Sequence, residues 1–304
     1  MNNQDFYKNG PPENFDNTII SQYCSCQRSA YWFLRGLTPA TEPAYFSWGR
    51  AWGIVISNWH EGKSPEESLQ AGLKEWEQSP FMDEDKVNNW DNLETLFKGY
   101  VKEYEGLDPW NQVGYELGFL FPIPGTSINY GGALDAYIEW PGYGILSRED
   151  KTTGNYITTS YLEQWKTASQ VTGYYWGLWQ LLNEKPFGIL MNICSKRKRK
   201  EPSAMYHRQL EEREDHYVES FIKDTILIAD SLRNQWSHWT WPKIGERVYM
   251  QCSGGIGKSP CPYLTLCLSG IDPENSDDSE YDFSQFYTWR DKWTPWERDS
   301  DKVV

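Results

Sequence analysis

The sequence predicts a mixed α/β domain, and three observations carry that expectation. The front of the chain repeats apolar residues at intervals of three and four, the period of amphipathic helices. Three short β-rich runs follow, VGYELGFLFPI, SINYGGALDAYIEW and YGILSREDKTT, separated by Pro and Gly. After them a long amphipathic stretch precedes a fourth apolar run, FGILMNICSK, so a helix is interposed between strands.

Taken in order, residues 1–17 are polar and rich in Asn, Asp and Pro, the composition of a flexible arm. TIISQYCSCQRSAYWFLRGL, residues 18–37, has helical periodicity throughout. Residues 45–60 and 64–105 read as further helices. The second opens on Ser64, Pro65 and Glu67, where a hydroxyl and a carboxylate three residues apart can satisfy the first-turn amides. The three β-rich runs form a meander. SYLEQWKTASQVTGYYWGLWQLLN is then a helix, FGILMNICSK a strand, and HRQLEEREDHYVESFIKDTILIADSLRNQW a last long helix. The expected division is one domain over 18–268, made of a helical part (18–110), a core (111–235) and a cysteine-bearing segment (236–268). An acidic, aromatic tail covers 269–304.

Composition narrows the function classes. A chain of 304 residues is long enough to bury a substantial core. No run approaches the roughly 18 apolar residues of a membrane span, and the start lacks a basic region followed by an apolar one, so a soluble, intracellular, cytoplasmic protein is expected, with no membrane partner. A net charge of -14 argues against nonspecific coating of nucleic acid, which needs excess Lys and Arg, but leaves room for a local basic groove. The dense basic run SKRKRK, 195–200, stands apart from the acidic C-terminus and is either part of such a groove or a solvated turn. Seventeen tryptophans and twenty tyrosines can fill cores or stack on unpaired bases.

Asp135 sits among apolar neighbours in GALDAYIE, where an unpaired carboxylate is costly, and Glu149 closes the next run in GILSRED. A turn at Pro141 and Gly142 lets antiparallel strands bring the two together. Paired carboxylates suit a hard divalent cation such as Mg2+ or Mn2+. Lys151 lies two residues past Glu149, so strand alternation points both to one face, where an ammonium can orient an attacking water and stabilise developing negative charge.

Asp135 with Glu149, Asp150, Lys151 and Thr152 resembles the core of the PD-(D/E)XK nuclease superfamily, and GALDAYIE with EDKTTG is similar to its RecB-like branch. The resemblance covers about residues 18–268. It implies a restriction-endonuclease-like mixed sheet flanked by helices, with Asp135 and Glu149 as metal ligands, the Asp150 carbonyl as a further ligand, and Lys151 at the attacking water. Gln170 and Tyr174, in ASQVTGYYW, match the branch's Gln-x3-Tyr helix that supports the site and the DNA backbone. Glu116, in VGYELGF, matches an acid on the preceding strand. One departure stands out: Gly53, in GRAWG, occupies the place where many members carry a metal-binding His, and His60 lies about 10 Å further along the helix.

Six cysteines in an intracellular chain point to metal ligation rather than disulfides. Cys252, Cys261 and Cys267 cluster near the end of the domain, and Cys24 and Cys26 lie near its start. Three clustered thiols and one distant one suffice for an iron-sulfur cluster or a structural Zn2+, and spacing does not choose between them. The resemblance implies a [4Fe-4S] cluster, as in AddB-type and CRISPR-associated spacer-acquisition nucleases, held by Cys26, Cys252, Cys261 and Cys267. The interval between Cys252 and Cys261 is longer than the usual pattern. Cys194, in ILMNICS, is expected as a buried small hydrophobe.

The expected function is a metal-dependent deoxyribonuclease, an exonuclease acting on DNA ends or single strands in recombination, repair or replication. The alternatives are a DNA-end-binding or scaffold subunit without turnover, and a spacer-acquisition nuclease acting with an integrase. The C-terminal tail is expected to dock on a protein partner or back on the core.

Overall fold

A computed structural model describes residues 10–79, 86–247, 251–254, 260–273 and 282–297. In chain order its elements are β1 (Asn14–Phe15), α1 (Asn17–Ser25), α2 (Gln27–Arg35), β2 (Leu37–Pro39), α3 (Ala44–His60), α4 (Pro65–Gln78) and α5 (Trp90–Tyr104). There follow β3 (Asn111–Pro122), β4 (Asn129–Trp140), β5 (Gly144–Thr153), α6 (Thr159–Thr167), α7 (Ser169–Leu182) and β6 (Gly188–Ser195). The last are β7 (Tyr206–Glu211), α8 (Asp215–His238), α9 (Leu264–Leu268) and β8 (Tyr287–Trp289). No helix among the described residues is long and apolar enough to cross a membrane.

The expected mixed α/β architecture is present. β4 and β5 pair antiparallel from Ala136↔Arg148 to Trp140↔Gly144, as the Pro141–Gly142 turn requires. β5 and β6 are parallel from Leu146↔Gly188 to Thr153↔Ser195. A parallel pair needs a crossover, and α6 with α7 supplies it. β7 then closes antiparallel on β6, β3 pairs with β4, and β1 adds a parallel partner at Asn129 and Tyr130.

The chain divides into two compact units where the sequence reads as one domain. The first takes its described residues from Met1–Ala40, Leu120–Gly131 and Ser220–Thr294; the second takes its own from Thr41–Phe119, Gly132–Glu219 and Pro295–Val304. In the first, Trp32, Leu37, Trp241 and Leu266 are buried in one aromatic-rich core. In the second, Trp48 and Trp52 stack with ring centroids 5.5 Å apart and pack with Val55, Leu96, Phe97 and Tyr100. Cys194 is 1% exposed within that core, a small hydrophobe as expected.

Several boundaries differ from the sequence pattern. Residues 14–17, expected in a flexible arm, form β1 and the start of α1. Asp16 caps α1 by accepting the Ile19 amide at 2.8 Å and also accepts Trp293 Nε1–H at 2.7 Å. Residues 1–9 of that arm lie outside the described residues. The helix over 18–37 is two helices, because Cys26 is extended (φ -165°, ψ 118°). The helix over 160–183 breaks likewise at Ala168, whose ψ is 122°. HRQLE, expected at the start of the last helix, is β7: the open edge of β6 offers ladder partners, and tertiary pairing overrides helix propensity. The capping box at Ser64 and Glu67 forms as expected, with Glu67 accepting the Ser64 amide at 2.9 Å.

Close approach of α7 to the sheet depends on Gly177, where an added Cβ would lie 2.3 Å from the ring of buried Phe119. Gly177→Ala is expected to lower unfolding stability by about 1–3 kcal/mol in urea titrations. Gly177→Ala with Phe119→Leu should recover part of that loss if the ring is the obstacle.

Candidate active site

The ladder pairs Ala136 with Arg148, which sets Asp135 abreast of Glu149 one step further along. Glu149 is 1% exposed and Asp135 is half-buried. Asp135 Oδ2 accepts the backbone N–H of Asp150 at 2.9 Å, anchoring one carboxylate to the neighbouring strand. Lys151 Nζ donates to Glu149 Oε2 at 2.9 Å, as alternation along β5 predicts. The other oxygen, Glu149 Oε1, is buried without a hydrogen-bond partner among the described residues. A buried acceptor left open on a carboxylate is unusual, and a cation is the partner its chemistry calls for.

Electrostatics follow from that crowding. Burial, reinforced by the Asp135 charge, pushes the Glu149 carboxyl up to about 8. Asp135 is also raised, by burial first and by Asp150, against the opposing pull of Lys151. Lys151 loses hydration, which disfavours its charge, but Glu149 and Asp135 outweigh this and hold it firmly protonated. One ammonium therefore serves two carboxylates. Donor chemistry and the open Oε1 fit a hard divalent cation at Asp135 and Glu149.

α7 delivers the next residues. Gln170 Nε2 donates to the Tyr174 hydroxyl at 3.0 Å, the contact that i, i+4 spacing allows. Tyr174 is raised by burial and by the charge of Glu149, and Lys151 and Asp135 also act on it, so its hydroxyl belongs to the same site. Gly132 makes room for it, since a Cβ there would lie 3.0 Å from the tyrosine ring.

Glu116 stands apart from the paired acids. Glu116 is exposed and its φ is 44°, a left-handed conformation within β3 that turns this position away from regular alternation. It is not among the leading charges acting on Asp135 or Glu149. The Asp150 side chain lies on the opposite face of β5, held by Arg148 and Asn192, which is compatible with the backbone-carbonyl role expected of it.

That opposite face holds a buried polar network which sequence reasoning missed. Arg148, fully buried, donates Nη2–H to Asp150 Oδ2 at 3.1 Å. Asn192 Nδ2 donates both hydrogens, to Asp150 Oδ1 at 2.6 Å and to the Tyr100 hydroxyl at 2.8 Å. Arg208 donates to Asn192 Oδ1 at 3.2 Å and to Tyr100 at 2.9 Å, and pairs with Asp108. With two donors on its oxygen, Tyr100 has its own proton left for His60 Nε2, 3.1 Å away. His60 is thereby assigned as the neutral Nδ1–H tautomer, consistent with burial and the Arg148 and Arg208 charges pressing its pKa well below the usual value. It is engaged away from Asp135, so it does not stand in for the histidine absent at Gly53. A Cβ at Gly53 would meet nothing within 4 Å. The available signal was Arg148 and Asp150 at alternate positions of β5, and Asn192 inside the otherwise apolar run of β6.

In the first unit, Cys26 lies at the α1–α2 break and is buried, with Gly245 close enough that a Cβ there would approach its Sγ to 3.4 Å. The Cys261 amide donates to the Cys252 carbonyl at 2.9 Å. Burial raises the Cys252, Cys261 and Cys267 thiols, the last to about 11, and the Cys26 charge contributes to all three. The four expected ligands are thus electrostatic neighbours, while Cys24 is exposed. Soft sulfur donors fit an iron-sulfur cluster or Zn2+ in kind. Among the described residues, no three His, Cys, Asp or Glu side chains are drawn together tightly enough to hold a metal ion as they stand.

No protein-family model matches this chain, and no curated protein matches it. Solved structures similar to parts of it include a candidate exonuclease from Eubacterium rectale, at 12% identity and a TM-score of 0.44, covering 73% of this chain and 82% of that one. Another is SSO0001, at 12% identity and a TM-score of 0.32, covering 71% and 76%. A third is LHK-Exo in complex with dAMP, at 13% identity and a TM-score of 0.29, covering 64% and 95%. The chemistry of the site is argued from this chain's own residues.

The raised Glu149 carboxyl has a pH signature. The unfolded group ionises near 4.5, while the folded one keeps its proton to about 8. Metal-free stability therefore falls as pH rises across that window, by on the order of 1.4 kcal/mol per pH unit at most. Glu149→Gln removes this loss. In urea unfolding with chelator present, the variant should gain on the parent progressively from pH 5 to pH 8; a gap independent of pH contradicts the assignment.

Proposed function

We propose that this protein is a Mg2+- or Mn2+-dependent deoxyribonuclease, acting as an exonuclease on DNA ends or single strands. The observation that carries the reading is Glu149: a buried carboxylate beside Asp135, with one oxygen on Lys151 and the other without a hydrogen-bond partner. Asp135 and Glu149 would hold the ion. The ion supplies Lewis acidity toward a phosphodiester and lowers the pKa of a bound water.

The chain's own residues supply the rest. Lys151 keeps its proton and offers positive charge where negative charge gathers on the phosphate. The Asp150 amide fixes the Asp135 carboxylate, and the network behind β5 fixes Asp150 in turn. Gln170 holds the Tyr174 hydroxyl oxygen, leaving its proton free to donate. The family resemblance supports a role in recombination, repair or replication, and a protein partner at the C-terminal tail belongs to the same proposal. Cys26, Cys252, Cys261 and Cys267 are proposed to hold a [4Fe-4S] cluster, or Zn2+, in a structural role.

A second reading is a DNA-end-binding subunit with little or no turnover. The observation favouring it is Gly53, with open space where many RecB-like nucleases place a ligand, while His60 is engaged elsewhere.

End-labelled DNA with Mn2+ separates the two. Lys151→Ala is expected to lower cleavage by about a hundredfold or more while DNA binding stays within about twofold. An intact protein that cuts no DNA with either metal leaves the binding subunit. Anaerobically purified protein should show a broad visible absorption band that Cys26→Ala removes; zinc without colour would select the other occupant.

A further inference from the structure

The dense basic run is not absorbed by the hydrolytic site. β5 and β6 are parallel, so their C-terminal ends leave the sheet at the same edge, with Thr153 opposite Ser195. The two following loops are tied together there. The Lys196 amide donates to the Thr153 carbonyl at 2.9 Å, and Ser195 Oγ–H donates to the Asn155 carbonyl at 2.8 Å. Lys196 itself is buried, with Nζ donating to Asn88 Oδ1 at 2.8 Å and lying 4.6 Å from the Trp48 ring centroid. It anchors the loop and is not available to a ligand.

The next four residues are different. Arg197, Lys198, Arg199 and Lys200 are all exposed, and none makes an ion pair among the described residues. Arg199 and Arg197 lie over Tyr156, at 4.1 and 5.5 Å from its ring centroid, and Tyr156 remains 44% exposed. Arg197 is steadied by its Nε–H on the Gly154 carbonyl, and its other guanidinium hydrogens are uncommitted among the described residues. Four cations without an ion pair beside an exposed ring, on a chain of net charge -14, match a polyanion whose units also carry flat faces. Tyr156 is five residues past Lys151, so this surface begins within roughly 18 Å of the Lys151 Cα.

We propose that Arg197, Lys198, Arg199 and Lys200 with Tyr156 bind an unpaired nucleic-acid strand leading to the site at Lys151. The cations take phosphates, and Tyr156 with the guanidinium planes of Arg197 and Arg199 stacks on bases. An unpaired strand is selected over a duplex because base faces are hidden inside a duplex stack. The inference deepens the proposed nuclease activity by assigning its substrate form, and rests on that reading for the direction of the strand.

The test is fluorescence anisotropy of a labelled oligothymidylate, and of a blunt duplex of equal length, titrated with the full chain in chelator so that no cleavage intervenes. The oligothymidylate should bind tighter than the duplex. Tyr156→Ala should weaken it about tenfold or more. Arg197→Ala with Arg199→Ala should make the plot of log affinity against log salt shallower by about 1.4, near 0.7 per lost phosphate contact. Arg197→Lys with Arg199→Lys should keep the slope while losing affinity, which controls for folding because charge is retained. Affinities and slopes equal to the parent in the alanine variants overturn the proposal, as does duplex binding as tight as single-strand binding with Tyr156→Ala silent. A parent that binds as expected yet cuts nothing overturns the hydrolytic reading alone. A parent that cuts while the variants bind normally overturns this one alone.

Discussion

Two carboxylates brought side by side on neighbouring strands, with one ammonium acting on both, are the constraint on which the rest of the candidate site depends. Asp135 and Glu149 each lose hydration, and the Asp135 charge further raises the affinity of Glu149 for a proton. Lys151 offsets part of that charge but serves both acids at once. An apolar pair would pack here without such strain, so the arrangement is one that folding alone does not favour. Retaining it is the mark of a site that uses charge.

The sheet divides the work between its faces. On one, Glu149 and Lys151 meet Asp135 and the Tyr174 hydroxyl. On the other, Arg148, Asn192, Tyr100 and Arg208 satisfy one another and grip the Asp150 side chain. Asp150 joins the two faces, because its backbone amide holds Asp135 while its carboxylate is held from behind. Positioning of Asp135 beside Glu149 is thereby assigned in part to residues on the opposite face of the sheet. The crossover through α6 and α7 follows from parallel β5–β6 pairing, and it also places Gln170 and Tyr174.

How much of this was legible depends on the range of the interaction. Glu149 with Lys151 comes from a spacing of two on a strand, which local periodicity reveals; Gln170 and Tyr174 were singled out by the resemblance, and their spacing of four on a helix accounts for their contact. Asp135 beside Glu149 needs only one hairpin, marked by Pro141 and Gly142. Glu116 was expected from the resemblance alone, and its left-handed backbone inside β3, which breaks the strand's alternation, is not something a motif match can express. The breaks at Cys26 and Ala168 carry no Gly or Pro, so nothing local marks them. β7 reads as helix because Arg, Gln, Leu and Glu are good helix formers, and only the open edge of β6 makes it a strand. The Arg208 contribution to the buried network, arriving on β7, was hidden for the same reason. Cys26 and the three late cysteines were grouped by the resemblance, and how their thiols are arranged in space lies beyond what spacing can express.

The most direct measurement of the central claim is anomalous scattering from crystals soaked in Mn2+. The account predicts a peak between Asp135 and Glu149, with one oxygen of each carboxylate at a coordination distance of about 2.1 Å, and with Lys151 close by but not bound to the ion. Manganese seated elsewhere, with Asp135 and Glu149 sharing no ion, would contradict it.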